Sequence, residues 1–157
     1  MNTQISYKSG FKYILEEDLV VQLEEDKLLD EHVETKWIIL DSMGLLLIRA
    51  GFACDGPSGL TIDTKNFMRG SFVHDALYWL IRNDLLDASC REAADRELRR
   101  IIRLDGMNRF RAWYVYRAVR LGGGFAVCPA ASRKIHRAPK LNSAQKCRWL
   151  RLSIKDT

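Results

Sequence analysis

Asn66–Arg82 reads NFMRGSFVHDALYWLIR, and the spacing of its apolar residues decides the fold. Phe67, Phe72, Val73, Leu77, Leu80 and Ile81 recur at helical intervals, which predicts a helix over about Asn66 to Arg82. Everything upstream of this stretch has a different texture from everything downstream.

Immediately before it, residues 51–64 (GFACDGPSGLTIDT) break both the helical and the strand period. Three glycines and a proline within nine residues mark a loop with special backbone geometry. A loop of this length that is not simply polar is often functional. Further upstream the chain reads as strands. Leu19-Val20-Val21-Gln22-Leu23 is a short apolar run. Lys36-Trp37-Ile38-Ile39-Leu40 and Leu45-Leu46-Leu47-Ile48-Arg49 are joined by Asp41-Ser42-Met43-Gly44, a hairpin signal. A charged stretch follows through Glu34, and a helix in residues 22–33 is left open, since LEEDKLLDEHVE also has helical composition.

Downstream the chain is helical. Ser89-x-x-Glu92 is a capping box that predicts the start of a second helix, with Ala94, Leu98, Ile101 and Ile102 as its apolar stripe and Asp105-Gly106 as its end. A third helix is expected from roughly Asn108 to Leu121, stopping at Gly122-Gly123-Gly124. After Pro129 the composition turns basic and weakly periodic. The expected fold class is α+β: N-terminal antiparallel strands with a hairpin, a loop, then three helices. Residues 1–130 are expected to form a single domain and 131–157 a basic C-terminal tail.

At 157 residues the chain has the size of one domain that can bury a hydrophobic core. Its longest apolar runs are too short to cross a bilayer, and Met1-Asn2-Thr3-Gln4 lacks the basic and apolar regions of a signal peptide. Retention inside the producing cell is therefore expected. Cys54, Cys90, Cys128 and Cys147 form no CxxC pair, so reduced thiols are expected in place of a disulfide scaffold. The charge is uneven. Residues 1–64 hold 5 Lys+Arg against 12 Asp+Glu, a net of −7, whereas residues 65–157 hold 20 against 8, a net of +12. A nucleic acid, an anionic membrane or an acidic protein would each suit the basic half, as would simple solvation of Arg-rich helices.

The residues with chemical potential cluster around the quoted helix. His74 and Tyr78 are four apart and share a face, while Asp75 is turned about a quarter of the way round. The short connection over Asn83–Ala88 makes the next helix an antiparallel neighbour, which brings Asp95 to a height from which it could reach His74. A carboxylate on one imidazole nitrogen fixes the tautomer and frees the other nitrogen to take a proton from water. Asp75 and the glycine-rich loop could offer oxygens to a hard cation such as Ca²⁺. The same residues also suit a buried polar knot: Asp55 could cap the loop, and Tyr78 could donate to Asp95 as a structural bond.

Three motifs carry a resemblance: Gly51-Phe52-Ala53-Cys54-Asp55-Gly56-Pro57-Ser58, then His74-Asp75-Ala76-Leu77-Tyr78, then Ala94-Asp95. Together they resemble a phage- and prophage-borne family of unknown function, with a GFxTDGAS loop, an HDxLY helix and a following AD helix. Tyr116-Arg117-Ala118-Val119-Arg120 and the glycines after it also fit, and the resemblance spans approximately residues 10–124. More distantly, the core is similar to small calcium-dependent phospholipases of the parvovirus capsid type, with HDxxY on one helix and AD on the next. That resemblance implies His74 as general base, Asp95 as its orienting carboxylate, Tyr78 as a brace for Asp95 and Asp75 as the side-chain ligand for Ca²⁺, whereas Asp55 is an extra carboxylate of this loop that would add a metal ligand. The loop departs from the phospholipase YxGxG pattern, reading FACDGPSG with a charged Asp55.

Three functions follow as expectations. The first is a calcium-assisted, phospholipase-like hydrolase acting on lipid ester, with anionic phospholipid as partner. The second is a non-enzymatic phage virion, tail-associated or assembly protein that contacts phage structural proteins and keeps the His/Asp cluster as structure. The third is a host-directed interaction protein that uses the basic half, where Trp113, Tyr114 and Tyr116 mix aromatics with arginine as single-strand nucleic-acid binders do. The expected location is the bacterial host cytoplasm or the phage virion.

Overall fold

The computed structural model describes residues 5–7, 13–29, 31–54, 64–124 and 136–138. Contacts divide the chain into two units, Met1–Ser9 with Arg133–Thr157, and Gly10–Ser132. In the first unit, strand β1 (Ile5–Tyr7) pairs antiparallel with a strand at His136–Ala138, with Ser6 opposite Arg137. The latter strand lies within the segment read above as a basic tail.

The second unit is α+β. Its strands are β2 (Tyr13–Ile14), β3 (Leu19–Gln22), β4 (Val33–Glu34), β5 (Ile38–Leu40), β6 (Leu45–Ile48) and β7 (Ala53–Cys54). Strands β3 to β6 form an antiparallel sheet in the order β3-β6-β5-β4, and β2 pairs with β7 separately. The expected hairpin is present, with Leu40 opposite Leu46 and Ile38 opposite Ile48. Asp41 closes it, because one carboxylate oxygen accepts the N–H groups of Met43 at 2.9 Å and Leu45 at 2.8 Å. Gly44 supplies the left-handed backbone that this turn requires (φ +78°). Alternation then sets the inner face: Val21, Ile38, Leu40, Leu46 and Ile48 are buried, whereas Val20 and Leu45 are exposed.

The acidic stretch between β3 and β4 is neither strand nor α-helix over most of its length, but holds a 3₁₀ turn at Asp26–Leu28 that buries Leu28. Its placement is set by a partner distant in sequence. Glu97, fully buried on the second helix, accepts the backbone N–H of Glu24 at 2.6 Å and of Glu25 at 2.9 Å. Arg100 donates to Glu97 at 2.8 Å and also to the Gln22 carbonyl at 2.8 Å.

Helix α1 (Lys65–Arg82) is buried around most of its circumference, α2 (Arg91–Leu104) is amphipathic, and α3 (Arg109–Gly122) follows. Contacts Arg69–Asp105, His74–Asp95 and Tyr78–Arg91 run in opposite senses along the two chains, so α1 and α2 are antiparallel. They approach closely at Gly70, where a Cβ would lie 2.7 Å from Ile102 Cγ2. Helix α3 joins through a second apolar cluster of Phe67, Leu98, Ile102, Met107, Ala112 and Val115.

One expectation about a helix start is corrected. Ser89 does not act as the cap of a box with Glu92. Ala88–Cys90 forms a 3₁₀ turn whose first N–H groups are served by Asp87, which accepts from Ser89 N at 2.7 Å. Helix α2 therefore begins two residues later, and Glu92 pairs instead with Arg96 one turn on, at 2.7 Å. At the third helix Asn108 caps as its residue type predicts, accepting from Arg111 N at 2.8 Å.

Candidate functional site

The site is built at the α1–α2 contact and closed by α3. His74 presents Nε2 to Asp95 Oδ1 at 2.8 Å, and the Tyr78 hydroxyl donates to the same oxygen at 2.7 Å. The four-residue spacing that stacks His74 over Tyr78 puts their ring centroids 4.0 Å apart. With Asp95 ionised, Nε2 carries the proton and donates it, which makes Nδ1 the free nitrogen of the neutral imidazole. Nδ1 has Asp75 Oδ1 at 3.7 Å, beyond hydrogen-bonding distance. Asp75 itself is partly exposed, so the open side of His74 is also the wetter side.

Two arginines complete the arrangement. Arg120 on α3 donates to Asp95 Oδ2 at 3.0 Å. Arg91 Nε donates to the Tyr78 oxygen at 3.2 Å, and its Nη2 donates to the carbonyls of Val119 at 3.2 Å and Arg120 at 2.7 Å. The C-terminal turn of α3 is thus fastened to Asp95 directly and to Tyr78 through Arg91. Gly123 is where the chain must pass: a Cβ there would lie 2.6 Å from the Tyr78 hydroxyl. Among the described residues, no buried side-chain nitrogen or oxygen lacks a partner.

The protonation equilibria follow from these contacts. Burial alone would lower the His74 pKa, but the interactions with Asp75 and Asp95 outweigh it and the net shift is upward. Burial opposes ionisation of Asp95, yet hydrogen bonds from His74, Tyr78 and Arg120 hold its carboxyl below the usual aspartate range. Both directions describe one coupled pair, imidazolium against carboxylate. Tyr78 is pushed upward by burial and by the Asp95 charge, so it stays a hydroxyl donor.

His74, Asp95 and Tyr78 therefore converge, and Asp75 lies beside His74 on its Nδ1 side. Asp55 lies outside the described residues, as do 56–63 of the glycine-rich loop. Calcium takes six to eight oxygen ligands. The described residues bring a single carboxylate, Asp75, to that side of His74, and no group of three His, Cys, Asp or Glu side chains among them could hold a metal.

Sequence reading missed Arg91, Arg120 and Gly123 as parts of the site. Their residue types were visible, and Arg120 stood inside the Tyr116–Arg120 motif. Nothing in the local spacing says that α3 turns back onto the α1–α2 contact. His32 is exposed, and Cys54 and Cys90 are buried. Comparison with protein-family models, with curated proteins and with solved structures gives no match.

Proposed function

We propose that this chain is a hydrolase in which His74 is the general base, Asp95 orients it and Tyr78 braces Asp95, with lipid ester as the substrate class. One observation carries the reading: Nε2 of His74 is held by a carboxylate at 2.8 Å, while on the Nδ1 side the carboxylate of partly exposed Asp75 stands 3.7 Å away, beyond hydrogen-bonding distance. In such a step, water at Nδ1 gives up a proton to the imidazole as its oxygen bonds to the ester carbonyl carbon. Collapse of the tetrahedral intermediate breaks the ester C–O bond, and the proton passes from Nδ1 to the departing alkoxide. Asp95 stabilises the imidazolium between the two transfers. The lipid ester, the phage origin and the Ca²⁺ requirement rest on the resemblance of the three motifs, and no step above depends on a metal.

Because the His74 pKa is raised, its base form becomes populated at higher pH than that of an ordinary histidine, and turnover should climb as pH rises through that shifted value. The test is fatty-acid release from mixed anionic liposomes, with Ca²⁺ and with chelator, for the parent and His74→Gln. Release that needs His74 and rises with pH is expected. Undiminished release by folded His74→Gln would refute the mechanism.

A second reading is favoured by Arg120. A carboxylate already satisfied by Tyr78 and Arg120 also suits a permanent ion pair with His74, which would serve as a structural knot in a non-enzymatic phage virion or assembly protein. No release by folded parent protein under any condition would favour this reading.

A further inference from the structure

Helix α3 carries apolar residues on two opposite faces, and only one of them is used. Ala112 and Val115 are buried against the rest of the fold. On the far side Phe110 is 76% exposed, Trp113 48%, Tyr114 39% and Leu121 82%. At the α-helical repeat these four and exposed Arg117 fall within an arc of about 100° and extend over roughly 16 Å. Scattered exposed hydrophobes are ordinary on a protein surface, but four on one helix face over three turns, interrupted by Arg117, mark an interaction surface.

The charge around the stripe identifies its partner. Between residues 99 and 124 there are seven arginines and a single acid, Asp105. That acid is held by Arg69, at 3.0 Å from Nε. Arg109 and Arg117, both exposed, lie on α3 itself. A second copy of this chain would set like charges against one another. A single nucleic-acid strand is bound by stacking along a groove, whereas the most exposed members here include Leu121 on a convex helix. Aromatic and aliphatic side chains flanked by arginines on one helix face match the interfacial zone of an anionic bilayer, where rings sit at headgroup level and arginines meet phosphates. Among the described residues no helix is long and apolar enough to cross a membrane.

We propose that the outer face of α3 docks this protein on an anionic lipid surface, with Phe110, Trp113, Tyr114 and Leu121 entering the headgroup region and Arg109 and Arg117 contacting lipid phosphates. The inference goes beyond the hydrolase reading and does not need it.

The experiment is co-sedimentation of the full chain with vesicles of ether-linked phosphatidylglycerol and phosphatidylcholine. Ether lipids contain no cleavable ester, so binding is read separately from hydrolysis. Partition into phosphatidylglycerol-containing vesicles is expected, with little into pure phosphatidylcholine. The double variant Phe110→Ser with Leu121→Ser should weaken it by roughly tenfold or more. Arg109→Glu with Arg117→Glu should do the same and flatten the salt dependence. Because all four side chains are exposed, these variants should keep the parent's circular dichroism. Absence of vesicle binding, equal partition into both lipid mixtures, or undiminished binding by the Phe110/Leu121 variant would overturn the proposal. So would binding to single-stranded RNA with none to vesicles.

Discussion

Replacing Asp95 by Asn tests the centre of the site with almost no change in shape. In the native protein one carboxylate oxygen receives His74 Nε2 at 2.8 Å and the Tyr78 hydroxyl at 2.7 Å, and the other receives Arg120 at 3.0 Å. The amide oxygen can still accept the first two, but as neutral bonds roughly half as strong. Its NH₂ group would face the Arg120 donor, so the third bond is lost outright. Arg120 is partly exposed and can turn towards Glu92, now 3.6 Å away, which limits its share of the cost. Loss of the charge from this buried pair should destabilise the fold by about 3–5 kcal/mol, the range for removing one partner of a buried ion pair. At roughly 2–4 °C per kcal/mol for a domain of this size, Tm should fall by about 10 °C.

The pH dependence supplies an independent sign. The His74 pKa is raised in the folded state, so the stability it contributes is fully present below its ordinary value of 6.5 and lost as pH rises through the folded value. Asp95→Asn removes one of the two carboxylates behind that shift. Its cost should therefore be larger at about pH 6 than at about pH 9. Urea denaturation of parent and variant at both pH values measures this directly. A cost below about 1 kcal/mol at the lower pH, or an equal cost at both, would refute the account of Asp95 as a buried anion shared by three donors.

Gly123→Ala should destabilise by about 1–3 kcal/mol, because its Cβ meets both the Tyr78 hydroxyl and the Val119 carbonyl at 2.6 Å; chemical denaturation reads this, and a neutral result would contradict the close passage of the chain there. Glu97→Gln should cost about 2–4 kcal/mol, since Oε1 takes two backbone N–H groups and Oε2 takes Arg100, whereas Glu24→Gln on an exposed partner of the same arginine should change stability by less than about 1 kcal/mol. On the acid side, the depressed Asp95 carboxyl contributes stability present above its ordinary value of 3.8 and lost as pH falls through the lower folded value. An acid titration followed by circular dichroism should accordingly show a transition that moves to higher pH in Arg120→Met, since Arg120 helps to hold that carboxyl ionised.

How much was legible in the sequence follows which residues depend only on neighbours. The hairpin over β5 and β6 depends on Asp41, Gly44 and the alternation around them, all within a dozen residues, and it forms as read. The helix carrying His74 and Tyr78 depends on a period repeated over five turns, and the short connection after it forces α2 alongside, so the His74–Asp95 contact was also within reach of local rules. The capping box failed because Asp87, two residues earlier, competes for the Ser89 N–H, and spacing alone does not rank two competing caps. The acidic stretch after β3 had no single answer in its own composition. Buried Glu97, more than seventy residues away, fixes it by accepting the backbone N–H groups of Glu24 and Glu25, and Arg100 pairs with the Glu24 carboxylate.

The sequence by itself thus determined the fold class, the antiparallel α1–α2 pair and the three residues that meet between those helices, because periodicity and short connections are local constraints. Only the tertiary structure decided that α3 folds back to set Arg120 on Asp95 and Arg91 on Tyr78, and that Phe110, Trp113 and Leu121 face outward. An arginine looks the same in sequence whether it is solvated or clamps a buried carboxylate, and an aromatic at helical spacing looks the same on either face. The packing of Ala112 and Val115 against the core chose between them, because a helix that is apolar on two sides can bury only one.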